Sequence, residues 1–74
     1  MQEKTVSILG MNEEKDVKLV EEALYDVWGV VEVDVSLSRS NAKVSYDEAA
    51  ASEIDIEQAI IDQGFQVKGG GYHD

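Results

Sequence analysis

Apolar and polar residues alternate over a short stretch near the start of the chain. Residues 5–9 are rich in Val and Ile, with Val6 and Ile8 on the same face, and Gly10 follows them. Period-two alternation that ends at a glycine predicts a first β-strand. Residues 10–15 are then expected to form a loop.

The next apolar residues recur three or four positions apart, which is the spacing of an amphipathic helix. They share one predicted face: Val17, Val20, Ala23, Leu24 and Val27. We expect Asn12 or Asp16 to cap the start of this helix and Gly29 to end it, because glycine adopts a left-handed backbone at low cost. Trp28 and Tyr25, near the predicted end, are expected in the core or at its rim.

Two segments with strict alternation follow, and each predicts a strand with one buried face. The first segment is residues 31–38, and its apolar positions are Val31, Val33, Val35 and Leu37. The second segment is residues 42–47, and its apolar positions are Ala42, Val44 and Tyr46. Because the polar turn 39–41 joins them, we predict an antiparallel hairpin.

A second helix is predicted over residues 52–63. Ser52 is the expected N-cap, acidic residues follow it where the helix dipole favours them, and Gly64 ends the helix. The apolar stripe of this helix is Ile56, Ala59 and Ile60. Residues 65–68 are expected to form a short last strand, and the glycine-rich residues 69–74 a flexible tail.

The predicted order is strand, helix, strand, strand, helix, strand. Four antiparallel strands covered on one face by two helices make the ferredoxin-like βαββαβ arrangement, an α+β fold that gives each helix a sheet to pack on. A chain of 74 residues is near the lower size limit for folding on one core. We therefore expect a single domain over residues 1–68.

Composition and charge narrow the set of functions. Sixteen acidic residues against six basic ones give a formal net charge of −10, and there is no cysteine. The acidic surface disfavours nucleic acid and anionic membranes as partners and favours a cation or a basic protein surface. The absence of cysteine excludes thiolate metal sites and a cysteine nucleophile. No segment has the pattern of a signal peptide or a membrane span, so we expect a soluble fragment.

The sequence also gives little support for catalysis. It contains no evident pairing of Ser with His, and its one histidine, His73, lies in the predicted tail between Tyr72 and Asp74. Catalysis needs its functional groups held rigidly, which a glycine-rich tail does not do. We expect a non-catalytic protein and a solvated His73.

Gly10-Met11, after the first strand, resembles the start of the GMxCxxC signature of heavy-metal-associated domains, as in copper metallochaperones and the N-terminal domains of heavy-metal P-type ATPases. The similarity extends from Thr5 to Val67, mainly at core and turn positions. Those positions are Val17, Val20-Glu21, Ala23-Leu24, Gly29-Val30, Val33, Val35, Leu37, Ala42, Val44, Tyr46-Asp47, Ala59-Ile60 and Gly64-Phe65. The resemblance implies the ferredoxin-like fold, a role in metal transport and a cytoplasmic location.

The resemblance also implies where the chemistry of the family would lie. Members bind a soft ion such as Cu(I) through two loop cysteines, and Glu13 and Asp16 occupy those positions here. Carboxylate oxygen suits hard cations and binds Cu(I) poorly, because soft ions gain most from sulfur. We therefore expect the soft-metal site to be lost. Gly10, Met11 and Phe65 are expected to support the loop, with Met11 packed inward.

Two hypotheses for the loop stay open. In the first, Glu13 and Asp16, with Glu14, hold a hard cation weakly, although the same acids would also suit the positive start of a helix without any ion. In the second, the loop and the acidic face of the first helix dock a basic protein surface or a homologous metal-transport domain. That face consists of Glu14, Asp16, Glu21 and Glu22. No cofactor other than a metal ion is expected.

Overall fold

The computed structural model describes residues 1–68, so the predicted tail 69–74, with His73, lies outside the described residues. The elements are β1 (Gln2–Leu9), α1 (Glu14–Tyr25), β2 (Val30–Ser36), β3 (Asn41–Tyr46), α2 (Glu53–Asp62) and β4 (Gln66–Lys68). This order confirms the βαββαβ fold expected from the hydrophobic pattern.

The four strands form one sheet in the order β2-β3-β1-β4, and every neighbouring pair is antiparallel. β2 and β3 are the predicted hairpin. β1 leads towards the loop at residues 10–13, α1 returns from it, and α2 leads back towards it before β4. The β1–α1 and α2–β4 connections therefore lie at one end of the sheet, the loop end. The α1–β2 and β3–α2 connections lie at the other, the far end.

The core lies between the sheet and the two helices. Alternate residues of β1 and β3 are buried there, as is one stripe of each helix. The largest apolar side chains that are fully buried are Ile8, Val20, Leu24, Val44, Ile56 and Ile60. Each contributes roughly 1.5–3 kcal/mol to folding, so both helices are held to the sheet by apolar contact.

The start of β2 differs from the prediction. Strict alternation would bury Val31, but the register between β2 and β3 shifts between Val30 and Glu32, and Val31 is 55% exposed. This is a β-bulge, in which one extra residue turns a side chain out of the pleat. β2 also ends at Ser36, so Leu37 lies in the turn and is only partly buried.

Both helices begin with a carboxylate that caps the backbone. In α2 the predicted N-cap is confirmed, since the Ser52 hydroxyl accepts a hydrogen bond from the Asp55 N–H at 3.2 Å. The Asp55 carboxylate accepts one from the Ser52 N–H at 3.0 Å. In α1 the N-cap position is Glu13. The N-cap residue is therefore neither Asn12 nor Asp16, and the prediction for Asn12 was wrong. Asp16 lies inside the first turn, from which its side chain caps the backbone N–H of Glu13.

The end of α1 corrects the prediction for Trp28. The helix ends at Tyr25 with Asp26 as the C-cap, before Gly29 is reached. Trp28 therefore lies in the α1–β2 connection, where it is 84% exposed and not part of the core. Tyr25 is 52% exposed and lies at the rim, as predicted. Gly29 makes the turn into β2 with φ +98°.

One charged side chain of α2 is buried against the sheet. Glu57 is 1% exposed, and its Oε2 atom lies 3.9 Å from Nζ of Lys4 on β1. The same Nζ lies 3.4 Å from Oε1 of Glu53. Lys4 faces the helices because it alternates in register with the buried Val6 and Ile8. Its ammonium group offsets part of the cost of burying the Glu57 carboxylate.

Candidate functional site in the loop between the first strand and first helix

The loop begins with a backbone turn that favours glycine. Gly10 has φ +105°, a conformation that residues with a Cβ rarely adopt. A Cβ at this position would lie 3.5 Å from Cδ1 of Phe65, so Phe65 packs next to the turn. Met11 and Phe65 are both buried and belong to the same core cluster. The structure thus brings the three predicted support residues together and anchors the loop to the core.

Asp16 organises the start of α1. Its Oδ2 atom accepts hydrogen bonds from the backbone N–H of Asn12 at 2.9 Å and of Glu13 at 3.1 Å. The Asp16 N–H donates in turn to the Glu13 carbonyl oxygen at 3.0 Å. A carboxylate in the first turn also interacts favourably with the positive end of the helix dipole. One oxygen of Asp16 is therefore engaged by the backbone of the loop itself.

Glu13 and Glu14 are exposed. The Glu13 side chain completes a capping box with the Asp16 N–H without a regular cap hydrogen bond, and its Oε2 atom lies 3.7 Å from Nζ of Lys15. An exposed pair of this kind contributes little to stability, because water screens it. The two positions predicted to replace cysteines thus have different environments: Asp16 caps the helix, and Glu13 faces solvent.

The carboxylates of the loop do not form a metal cluster. Within residues 1–68, no three side chains of His, Cys, Asp or Glu are arranged to hold a metal ion. Hard cations such as calcium take about six to eight oxygen ligands. A cation held by Glu13 and Asp16 would therefore keep most of its water. The hard-cation site at Glu13, Glu14 and Asp16 stays a prediction.

A second surface, at the far end, was not predicted from the sequence. Trp28, Tyr25 and Val31 are exposed there and line a common groove. Predicting it would have required two facts that the hydrophobic pattern does not contain, the end of α1 at Tyr25 and the bulge at Val31. The available signal was that two aromatic residues, Tyr25 and Trp28, lie close together just before Gly29, with the acidic Asp26 between them.

The fold and the loop define a class of protein, a small ferredoxin-like domain with a core-anchored loop before its first helix. The chain is 39% identical over 67 residues to the copper chaperone CopZ of Bacillus subtilis (strain 168), covering 90% of this chain and 97% of CopZ. It is 31% identical over 62 residues to copper-transporting ATPase 2 of Rattus norvegicus, which is 84% of this chain and 4% of that protein. The solved copper-binding domain from HMA7, a P-type ATPase, matches with a TM-score of 0.88 and 31% identity, covering 97% of this chain and 100% of that domain.

The chain therefore belongs to the heavy-metal-associated domain family, as the resemblance of its loop and core predicted. No family model matches it. The chain departs from the family signature in having no cysteine. Neither helix within residues 1–68 combines the length and the apolar character needed to cross a membrane.

Proposed function

We propose that this chain is a non-catalytic heavy-metal-associated domain that has lost the two-thiolate site for Cu(I), so that any metal in its loop is a weakly bound hard cation. The observation that carries the proposal is the Asp16 carboxylate at a family cysteine position. It accepts two backbone hydrogen bonds, at 2.9 and 3.1 Å. The side chain that would be a metal ligand is thus a helix cap.

The remaining sulfur of the loop supports the same conclusion. Cu(I) binds through soft sulfur ligands, and Met11 supplies the one sulfur atom in the loop sequence. Met11 is 6% exposed and packs in the core, so binding through its thioether would require the loop to move out of its packed position. The carboxylates of Glu13 and Asp16 offer hard oxygen instead.

Sequence similarity to known proteins supports the proposed role, location and partner. The relatives are a copper chaperone and a copper-transporting ATPase, which favours a non-catalytic role in metal transport, in the cytoplasm, with a homologous metal-transport domain as partner. The alternative predicted from the sequence was docking through the loop and the acidic face of α1. The geometry of the loop provides no specific observation in favour of it.

Competition for Cu(I) under anaerobic conditions tests the proposal. Wild-type protein should give up all its Cu(I) to a bicinchoninate chelator, because it has no thiolate. The double variant Glu13→Cys with Asp16→Cys should retain one equivalent against the same chelator, because the rest of the framework is unchanged. Circular dichroism should show that the variant is folded.

A matched control separates the position of the thiols from their number. Glu14→Cys with Lys15→Cys adds the same two thiols at adjacent exposed positions, and it should retain less Cu(I) than the first variant. Retention of one equivalent by wild-type protein would refute the proposal. A folded Glu13→Cys, Asp16→Cys variant that binds no Cu(I) would show that these residues do not align with the family cysteines.

A further inference from the structure

The far end of the molecule carries a patch of exposed aromatic and apolar side chains. Trp28 is 84% exposed, Val31 55% and Tyr25 52%, and we call these three residues the aromatic patch. Large aromatic side chains gain much from burial, so an exposed indole has much to gain when another surface covers it. Large contiguous patches of exposed apolar side chains often mark an interaction site.

Trp28 stands between two grooves that are lined by carboxylates. The groove on the Tyr25 side has a volume of about 440 Å³ and is lined in part by Asp26 and Asp47. The groove on the α2 side has a volume of about 410 Å³ and is lined in part by Asp55 and Asp62. Among the described residues that line either groove there is no Lys or Arg. The indole is therefore flanked on both sides by negative charge.

The fold holds the aromatic patch in place. The Tyr25 hydroxyl accepts a hydrogen bond from the Val33 N–H at 3.1 Å, which fixes its ring against β2. Gly29, next to Trp28, lies so close to the β3–α2 connection that an added Cβ would be 2.7 Å from Cβ of Ala50. A surface that is already ordered loses less entropy when a partner binds.

We propose that the aromatic patch and its two grooves bind a protein segment in which arginine side chains stand next to apolar ones. A guanidinium group stacks on the face of an indole and forms paired hydrogen bonds with carboxylates. Trp28 provides the stacking face, and Asp26 and Asp62 provide carboxylates on its two sides. Val31 and Ala50, both exposed, provide contacts for the apolar neighbours.

The negative charge of this surface disfavours two other binding partners, nucleic acid and a second copy of the chain. Nucleic acid would bring phosphates against the carboxylates. A second copy of the chain would bring the same carboxylates against each other, at a net charge of −10 per molecule. The patch and the loop lie at opposite ends of α1, whose 12 residues span about 18 Å. The inference therefore stands or falls independently of the function proposed for the loop.

Trp28 is the one tryptophan of the chain, so its fluorescence reports directly on this surface. The probe is a synthetic peptide that alternates arginine with leucine, titrated at low salt. We expect saturable binding that shifts the Trp28 emission to shorter wavelength and protects it from acrylamide quenching. The same peptide with citrulline in place of arginine keeps the shape without the charge and should not bind. Salt should weaken the arginine complex by screening.

Variants locate the binding by calorimetry. Trp28→Ala should weaken peptide binding by about tenfold, as expected for a central aromatic contact, and Trp28→Phe should retain most of the affinity. Asp26→Asn with Asp62→Asn should weaken binding by a factor of about five through loss of charge pairing. Glu3→Gln with Asp34→Asn removes the same charge from the face of the sheet that the helices leave open, and it should bind like wild-type protein.

Four results would overturn the proposal. The first is equal peptide binding by wild type and Trp28→Ala, and the second is equal binding of the arginine and citrulline peptides. The third is equal weakening by the two pairs of charge variants, which would mean that net charge alone attracts the peptide. The fourth is a Trp28 that is already shielded from acrylamide in the free protein. Sedimentation would then show whether a second copy covers the patch or the chain itself does.

Discussion

At the scale of single residues, the start of α1 depends more on the side chain of Asp16 than on that of Glu13. The Asp16 carboxylate holds two backbone N–H groups, whereas the Glu13 side chain completes the capping box without a regular cap hydrogen bond. We expect Asp16→Ala to lower the free energy of unfolding by about 1 kcal/mol, the usual value of a helix cap. Glu13→Ala, its matched control, should cost less than about 0.5 kcal/mol, since it removes an exposed ion pair and no regular cap hydrogen bond. Urea denaturation measures both, and equal costs would contradict the role given to Asp16.

Two glycines with nearly the same backbone conformation allow the cost of steric crowding to be measured separately from the cost of the left-handed backbone. Gly29 has φ +98° and Gly64 has φ +99°, but a Cβ at Gly29 would lie 2.7 Å from Cβ of Ala50, whereas nothing lies within 4 Å of a Cβ at Gly64. Gly64→Ala should cost about 1–2 kcal/mol for the left-handed backbone alone. Gly29→Ala should cost about 1–3 kcal/mol more because of the overlap.

Adding Ala50→Gly to Gly29→Ala should recover part of that difference, because the nearest atom of the overlap is then absent. Cβ of Ala51, at 3.2 Å, still limits the recovery. Thermal unfolding of the single and double variants measures the effect. If Gly29→Ala lowered the stability no more than Gly64→Ala, the two connections at the far end would not be as closely packed as described.

At the scale of elements, the sequence predicted the order of helices and strands and the start of α2, and it failed at both ends of α1 and in β2. Helical spacing and strict alternation of apolar residues arise because one face of each element is buried in the core. The types of the elements could therefore be predicted from the sequence. The bulge at Val31 depends on how β2 meets β3, which no local pattern encodes. Glu13 was missed as the N-cap because glutamate is not among the residues favoured there.

The candidate site was predictable to a similar degree. The resemblance to a metal-binding signature pointed to the loop and to its support by Gly10, Met11 and Phe65, and these residues come together. It did not predict that Asp16 would reach back to the N–H groups of Asn12 and Glu13, because that contact depends on the path of the loop backbone. Family positions therefore pointed to this loop as the candidate site, and only the geometry described its contacts.

β1 and α2 are joined by a charge contact as well as by apolar packing. The side chain of Glu57 is 2% exposed and lies 3.9 Å from Lys4, whose side chain is 23% exposed. Lys4→Met should lower the free energy of unfolding by about 1–3 kcal/mol, because the buried carboxylate loses a nearby cation. Lys43→Met breaks the exposed pair with Glu3 at 3.7 Å and should cost less than about 0.5 kcal/mol.

Urea denaturation of these two lysine variants checks the difference. Adding Glu57→Leu to Lys4→Met should regain part of the loss, since a matched apolar pair does not need compensation. Equal costs for the two lysine variants would show that burial of Glu57 does not depend on Lys4.

At the scale of the whole molecule, one apolar core extends from the loop end to the far end of the sheet. Met11 and Phe65 belong to it near the loop, and Tyr46 and Ala51 belong to it at the other end. We expect folding to be independent of metal, because this core is built from side chains of the protein itself. Dialysis against a chelator should leave the melting temperature unchanged. A clear decrease would indicate a structural ion.

The same measurement tests the hard-cation site. At a net charge of −10, any salt should stabilise the protein by screening repulsion, so calcium and manganese must be compared with sodium chloride at equal ionic strength. We expect no extra stabilisation at physiological concentrations. A saturable increase in wild type that disappears in Glu13→Asn with Asp16→Ser would establish the carboxylate loop as an ion site by linkage.

The outer edge of β2 has a consequence for how the protein behaves when crowded. An open edge strand is a template to which another molecule can add a strand, and such addition leads to aggregation. Here the bulge at Val31 interrupts the template, the Tyr25 hydroxyl occupies the Val33 N–H, and Glu32 and Asp34 place charge along the strand. The same bulge that gives the far end its exposed valine thus keeps one molecule from extending the sheet of the next.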